Sequence, residues 1–122
     1  FGEKYDYEGK DFKPNMKYNL LGTTMNYFIE NSILDIPDYI KIDVDGIEHL
    51  ILEGGDKFLN NEKVKSLSVE INENFKEQFS KVMEIMHECG FRKLHKKHNS
   101  ETKEVYFKGS KFNQSYNYIF IR

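Results

Sequence analysis

The stretch Tyr39–Gly55, YIKIDVDGIEHLILEGG, runs from a short apolar alternation through Asp43 and Asp45 straight into a helical pattern. Ile40, Ile42 and Val44 recur at every second position, so Tyr39–Val44 reads as a buried strand. Ile47, Leu50, Ile51, Phe58 and Leu59 then recur at helical spacing, with Gly54 and Gly55 on the same stripe. Those glycines either let one helix lie close to a sheet or break it into two pieces. The acids at the junction have two readings. Asp45 followed by Glu48 fits a capping box, with Asp45 as the N-cap and Gly46 making the tight turn. Asp43 is harder to assign to structure, because a carboxylate in an apolar strand is costly unless paired. Lys41 shares its face but lies about 7 Å along the strand. Asp43 is therefore a candidate for facing a ligand.

The flanking sequence supplies the rest of a sheet. Residues 1–17 carry Gly2, Gly9 and Pro14 among charges and read as loop or extended arm. A short strand is expected over Tyr18–Leu21. Thr23 or Thr24 opens a helix with Met25, Phe28, Ile29 and Ile33 on one face, ending near Leu34 ahead of Pro37. Val64–Ile71 alternates, with Leu67, Val69 and Ile71 on one side and Ser66, Ser68 and Glu70 on the other. Phe75, Phe79, Val82, Met83 and Met86 mark a second long helix, stopped by Gly90. Phe91–His95, Val105–Phe107 and Tyr116–Ile121 are further strand candidates. Strand, helix, strand, helix, then a strand-rich end implies a right-handed βαβ unit with parallel strands. Ligands of such sheets bind outside the C-terminal strand ends. Adjacent strands lie about 4.8 Å apart, so Asp43, Asp45, Glu70 and Asn72 form one polar cluster if the two strands are neighbours.

Composition narrows the classes. The 122 residues suffice for one core, and 39% hydrophobic with 31% charged residues is a globular balance. A formal charge of −2 without a dominant basic stripe argues against a nucleic-acid partner. The apolar runs are too short to span a bilayer, so no membrane role is expected. The single cysteine, Cys89, excludes an intrachain disulfide and fits a cytoplasmic, reducing location. Gly46 stands too early after Asp43 for a calcium loop, and His87, Cys89, His95 and His98 lack zinc-site spacing. Tyr5, Tyr7, Phe12, Tyr116 and Tyr118 read as core aromatics, with a pocket lining as the alternative.

The run IPDYIKIDVDGIEHLILEGGDKFL, preceded by LLGTTMNYFIEN and followed by VKSLSVEINEN and HECGF, resembles the FkbM-type S-adenosylmethionine-dependent methyltransferases. The matching positions are Lys41, Ile42, Asp43, Val44, Asp45, Gly46, Glu48, Val69 and Glu70, within about Leu20–Phe91. Departures are modest: Met25-Asn26 where leucine-aspartate is frequent, Asp45 where glutamate is common, and Ile47 where alanine is. The resemblance implies an α/β fold for residues 18–122, the C-terminal half of a Rossmann-like class I methyltransferase domain. Its mixed sheet would combine parallel βαβ units with an antiparallel C-terminal strand pair. No G-x-G-x-G stretch occurs in the 122 residues, so the chain is expected to be a fragment lacking the glycine-rich cofactor-binding half and inactive alone.

The implied activity is O-methyl transfer from S-adenosylmethionine to a hydroxyl of a sugar or secondary metabolite, the acceptor being a small molecule or glycan. Asp43 and Glu70 would be catalytic, with Asp43, Asp45 and Glu48 on the cofactor side and Glu70 and Asn72 on the acceptor side. His49 is a further candidate base, although an exposed helical histidine is the plainer reading. The resemblance assigns no metal ligand, although Asp43 and Glu70 together offer a divalent ion two carboxylates. Two rivals remain. IKIDVDG also looks like the nucleophile strand of a haloacid-dehalogenase-type phosphatase, but the later lysine and acidic pair are not evident. A non-catalytic binding or oligomerisation module is the other, with an exposed sheet edge pairing two copies as a homodimer.

Overall fold

The computed structural model describes residues 10, 11, 13–98 and 114–122. In chain order these form α1 (Met25–Glu30), β1 (Tyr39–Ile42), α2 (Glu48–Glu53), α3 (Asp56–Leu59), β2 (Ser66–Asn72), α4 (Lys76–Glu88), β3 (Arg92–His98) and β4 (Ser115–Ile121). The strands make one sheet in the order β1-β2-β4-β3. β1 and β2 run parallel, with Ile42 opposite Val69, while β4 lies antiparallel to both β2 and β3. The mixed sheet and its antiparallel C-terminal pair are as the sequence implied. Among the described residues no helix is long and apolar enough to cross a membrane.

Alternation in β2 decides which face is covered. Leu67, Val69 and Ile71 are fully buried and join Tyr118 and Phe120 of β4 in one cluster with Leu52, Leu59, Val82 and Met86 from the helices. Ser66, Ser68 and Glu70 stay half-buried on the other face. The amphipathic pattern of α4 aims Val82 and Met86 into that core. Gly90, at φ 78°, ends the helix in the left-handed region, and the Phe91 amide reaches back to the Met86 carbonyl at 2.8 Å.

Gly54 and Gly55 both break the long helical pattern and allow a close approach. A Cβ on Gly54 would lie 3.1 Å from Thr24 Cγ2, and one on Gly55 only 2.1 Å from Met25 Cε. α1 docks on this break: the Asn26 amide donates to the Gly54 carbonyl at 3.1 Å, and its side chain bridges Asp56 and the Phe58 amide. Arg122 closes the opposite end of the core. Its guanidinium donates to the carbonyls of Leu59, Val64 and Cys89 and stacks 4.3 Å above the Phe91 ring.

Several boundaries differ from the sequence reading. Tyr18–Leu21 is not a strand; it makes no ladder, and Tyr18, Leu20 and Leu21 are exposed. α1 stops at Glu30 rather than Leu34, because the Asn31 amide caps the Tyr27 carbonyl and Ser32 turns left-handed at φ 54°. β1 ends at Ile42, two residues early, and Val44 is exposed. β3 extends to His98, held by pairing with β4 through Tyr116. The Val105–Phe107 strand, and Tyr5, Tyr7 and Phe12, lie outside the described residues. Of residues 1–17, those described are irregular apart from a single bridge at Asp11.

Leu67 is fully buried on a central strand, so Leu67→Ala should lower stability by about 3 kcal/mol. Tyr39→Ala, at a 75% exposed edge position, should cost under about 0.5 kcal/mol. Urea unfolding of both variants checks the pair. Equal losses would place the core elsewhere.

Candidate functional site

The parallel register sets Ile42 against Val69, which brings the next residues, Asp43 and Glu70, side by side at the C-terminal ends of β1 and β2. Their carboxyl groups share a hydrogen bond. Two carboxylates make such a bond only around a common proton. Lys41 decides who keeps it. Its ammonium lies 2.7 Å from Asp43 Oδ2, and that hydrogen bond, with the one from Glu70, holds the Asp43 carboxyl below the usual range. Burial, the Asp43 hydrogen bond and the charges of Asp43, Glu48 and Asp45 push Glu70 up to about 7. Of the pair, Glu70 is therefore the acid that holds a proton more tightly. The Lys41–Asp43 contact, which strand spacing argued against, forms because the chain leaves the strand after Ile42 and no longer holds the two side chains in parallel.

The turn after β1 is built differently from the expected capping box. Asp45 takes φ 58° and Gly46 φ 113°, and the N-cap of α2 is Ile47, without a side-chain cap. Asp45 is left-handed and exposed and does not cap the helix. Glu48 secures the turn instead. It is buried, with Oε1 accepting the Val44 amide and Oε2 the Gly46 amide, each at 3.0 Å. Gln78 of α4 also donates its side-chain amide to Glu48 Oε2. Burial still pushes the Glu48 carboxyl upward, against the pull of these donors. On the β2 side, Gln78 Oε1 accepts the Asn72 amide at 3.1 Å, and Asn72 Oδ1 accepts the Asn74 amide at 3.0 Å.

These groups enclose a notch of about 20 Å³ lined by Asp45, Gly46, Glu48, Glu70, Asn72, Gln78 and Ser115. That volume admits about one water molecule or hydroxyl group. Of the candidate residues, Asp45, Glu48, Glu70 and Asn72 line it, and Asp43, beside Glu70, is not among the lining residues. His49 does not. Contrary to the exposed position expected, it is buried, edge-on to Phe75 with ring centroids 5.9 Å apart. Helix α2 turns that face inward against the start of α4. Tyr118 is a core residue whose hydroxyl donates to Glu73, and Glu73 also pairs with Lys96. Gln78 and Ser115 were missed. Gln78 had a signal, since it falls between Phe75 and Val82 on the apolar stripe of α4; Ser115 had none, and reaches the notch only through its pairing with Asn72. Among the described residues no group of three His, Cys, Asp or Glu side chains is placed to hold a metal ion.

A family model described as a methyltransferase FkbM domain matches residues 18–93. That span holds β1, β2 and every residue of the notch except Ser115. Neither the curated proteins nor the solved structures contain a match to the chain.

The site makes stability depend on pH. Glu70 keeps its proton up to about pH 7 when folded but ionises near 4.5 when unfolded, so its contribution falls as pH rises from about 4.5 to 7. Glu70→Gln keeps a neutral donor there and removes the titration. The variant should gain on the wild type between pH 5 and pH 8 by about 1 kcal/mol, after allowance for solvent screening. Urea midpoints at the two pH values give the answer; a wild type that gains on the variant over this range contradicts the assignment.

Proposed function

The chain belongs to the FkbM methyltransferase family, and from that premise we propose that its strand-end acids serve the acceptor side of an S-adenosylmethionine-dependent O-methyl transfer. The observation that carries this reading is the meeting of Asp43 and Glu70 at the C-terminal ends of parallel strands, with Glu70 pushed up to about 7. When bound, S-adenosylmethionine supplies an electrophilic methyl group on a positively charged sulfonium. The residues present suit the reacting end of that cofactor: Asp43 and Asp45 bring negative charge beside the strand ends. The notch, with room for one hydroxyl, leaves the adenosine portion outside it.

A hydroxyl in the notch meets Glu70, whose midpoint near 7 suits a general base at neutral pH. Ionised Glu70 would take the hydroxyl proton as the oxygen gains its methyl group, while the methyl–sulfur bond of the cofactor breaks and its sulfur leaves as a neutral thioether. Asp43 would tune when Glu70 is free to do so. Asn72 and Ser115 offer an amide and a hydroxyl for orienting a polyhydroxylated acceptor, which suits a sugar or a hydroxylated metabolite. Asp45 and Glu48 hold the turn that would face the cofactor. His49, buried against Phe75, does not line the notch and takes no part in this reading. The phosphatase alternative has no support from the family match. A Rossmann-like architecture and a cytoplasmic location complete the proposal.

Transfer of a labelled methyl group from S-adenosylmethionine to a panel of hydroxylated acceptors, by a longer protein that supplies the glycine-rich cofactor-binding half, tests the function. Activity should rise with pH through a limb near 7. Asp43→Asn removes the neighbouring charge, so the limb should move to lower pH while the rate falls by about 100-fold. A folded Asp43→Asn protein with wild-type rate and pH profile would contradict the role given to the pair.

We propose also that a second copy pairs along β1. Among the described residues this strand is outermost in the sheet, with Tyr39 75% exposed. Light scattering coupled to size exclusion should show a dimer that Lys41→Pro converts to monomer, Pro being incompatible with a paired ladder. A monomer at every concentration would rule the pairing out.

A further inference from the structure

Helix α4 buries Val82 and Met86, yet the same stripe carries Gln78, a polar side chain only 1% exposed. A buried amide is costly unless both of its ends are hydrogen-bonded. Both are. The oxygen accepts the Asn72 amide at 3.1 Å, and the nitrogen donates to Glu48 Oε2. The two contacts run in opposite senses, so only a group with an acceptor and a donor on one planar head meets both. Glu48 carries the connection onward by accepting the Val44 and Gly46 amides. One side chain thus ties the last residue of β2 to the turn that follows β1.

The tie spans the residues that matter. Asp43 directly precedes Val44, and Glu70 lies two residues before Asn72 on the same strand. β1 is only four residues long, so its pairing with β2 gives the turn little support of its own. We propose that Gln78 is a positioning residue, which by joining Glu48 to Asn72 fixes the separation of the two strand ends and so holds Asp43 against Glu70. The inference rests on the reading of that acid pair as the acceptor-side group of methyl transfer. Gln78 touches neither acid; it acts through Glu48 and the backbone.

The surroundings of Glu70 define what its loss would do. Among the described residues, the charged groups near it include Lys41, Asp43 and Asp45 from β1 and its turn, and Glu48 from α2. Asn117 lies opposite it on β4 and carries no charge. Releasing the turn separates Asp43 from Glu70. Glu70, still raised by burial, then loses the contact that adds to that rise, and Asp43 loses one of the contacts that lower it. The two midpoints move toward each other. A change confined to the charge of Glu48 would lower Glu70 without raising Asp43.

Carboxyl-carbon NMR titration of the full chain reads both groups directly, without cofactor or acceptor. A failure of methyl transfer therefore leaves this result intact, and the reverse also holds. In Gln78→Leu, which fills the space but makes neither hydrogen bond, the Glu70 midpoint should fall by about one unit or more while that of Asp43 rises. Gln78→Asn, one methylene too short to reach both partners, should shift them in the same directions by less. Amide exchange at Leu67 and Val69 should stay as slow as in the wild type, which shows the sheet intact. If Gln78→Leu does not fold, Gln78→Asn decides. Midpoints that stay apart in a folded variant, or a fall at Glu70 alone, would overturn the proposal.

Discussion

The arrangement depends on one register. Because Ile42 pairs with Val69 in a parallel ladder, the first residue past each pairing position is an acid, and the two acids meet. A shift of one residue would turn Glu70 to the core face and bring Val69 or Ile71 to the site, since strand side chains alternate. The hydrophobic face of β2 guards against such a slip. Leu67, Val69 and Ile71 are all fully buried, and moving them outward would forfeit several kcal/mol in total. The core thus sets the geometry of the site: the packing that makes β2 a central strand also places Glu70 beside Asp43.

Around that register the protein arranges charge with some economy. The Asp43–Glu70 contact would repel if both groups were ionised, and Lys41 resolves the conflict by favouring charge on Asp43 and leaving the proton to Glu70. Glu48 faces a different problem. It is buried deeply enough that its carboxyl is pushed upward, yet two backbone amides and Gln78 meet its oxygens. Strand β3, outermost on its side among the described residues, is rich in basic side chains, and part of that charge is absorbed locally. Lys96 pairs with Glu73 and lies 4.2 Å above the Tyr116 ring, while Lys93 lies over Tyr118.

Much of this was readable from the residues alone. The alternation over Val64–Ile71 and the helical spacing from Phe75 to Met86 each match one periodicity, and both elements formed where expected. Asp43 and Glu70 could be brought together because parallel neighbours end at one edge. Local conformation was harder. Asp45 and Glu48 carry a capping-box spelling, but nothing in the spelling reveals that Asp45 adopts a left-handed φ and gives up the cap. His49 looked exposed because its neighbours Glu48 and Leu50 give no clear face; the packing of α2 on α4 decides it. Tyr18–Leu21 has the composition of a strand and no partner among the described residues to make it one. Gln78 was the legible clue left unread, since a lone amide on an apolar stripe demands partners for both of its ends.

The shared proton is the claim on which everything functional rests, and it is directly observable. Site-resolved carboxyl titration of the wild-type chain should show Glu70 ionising near pH 7 and Asp43 below its ordinary range. Should both acids titrate independently at ordinary carboxylate values, the two strand ends do not meet as described and the account fails.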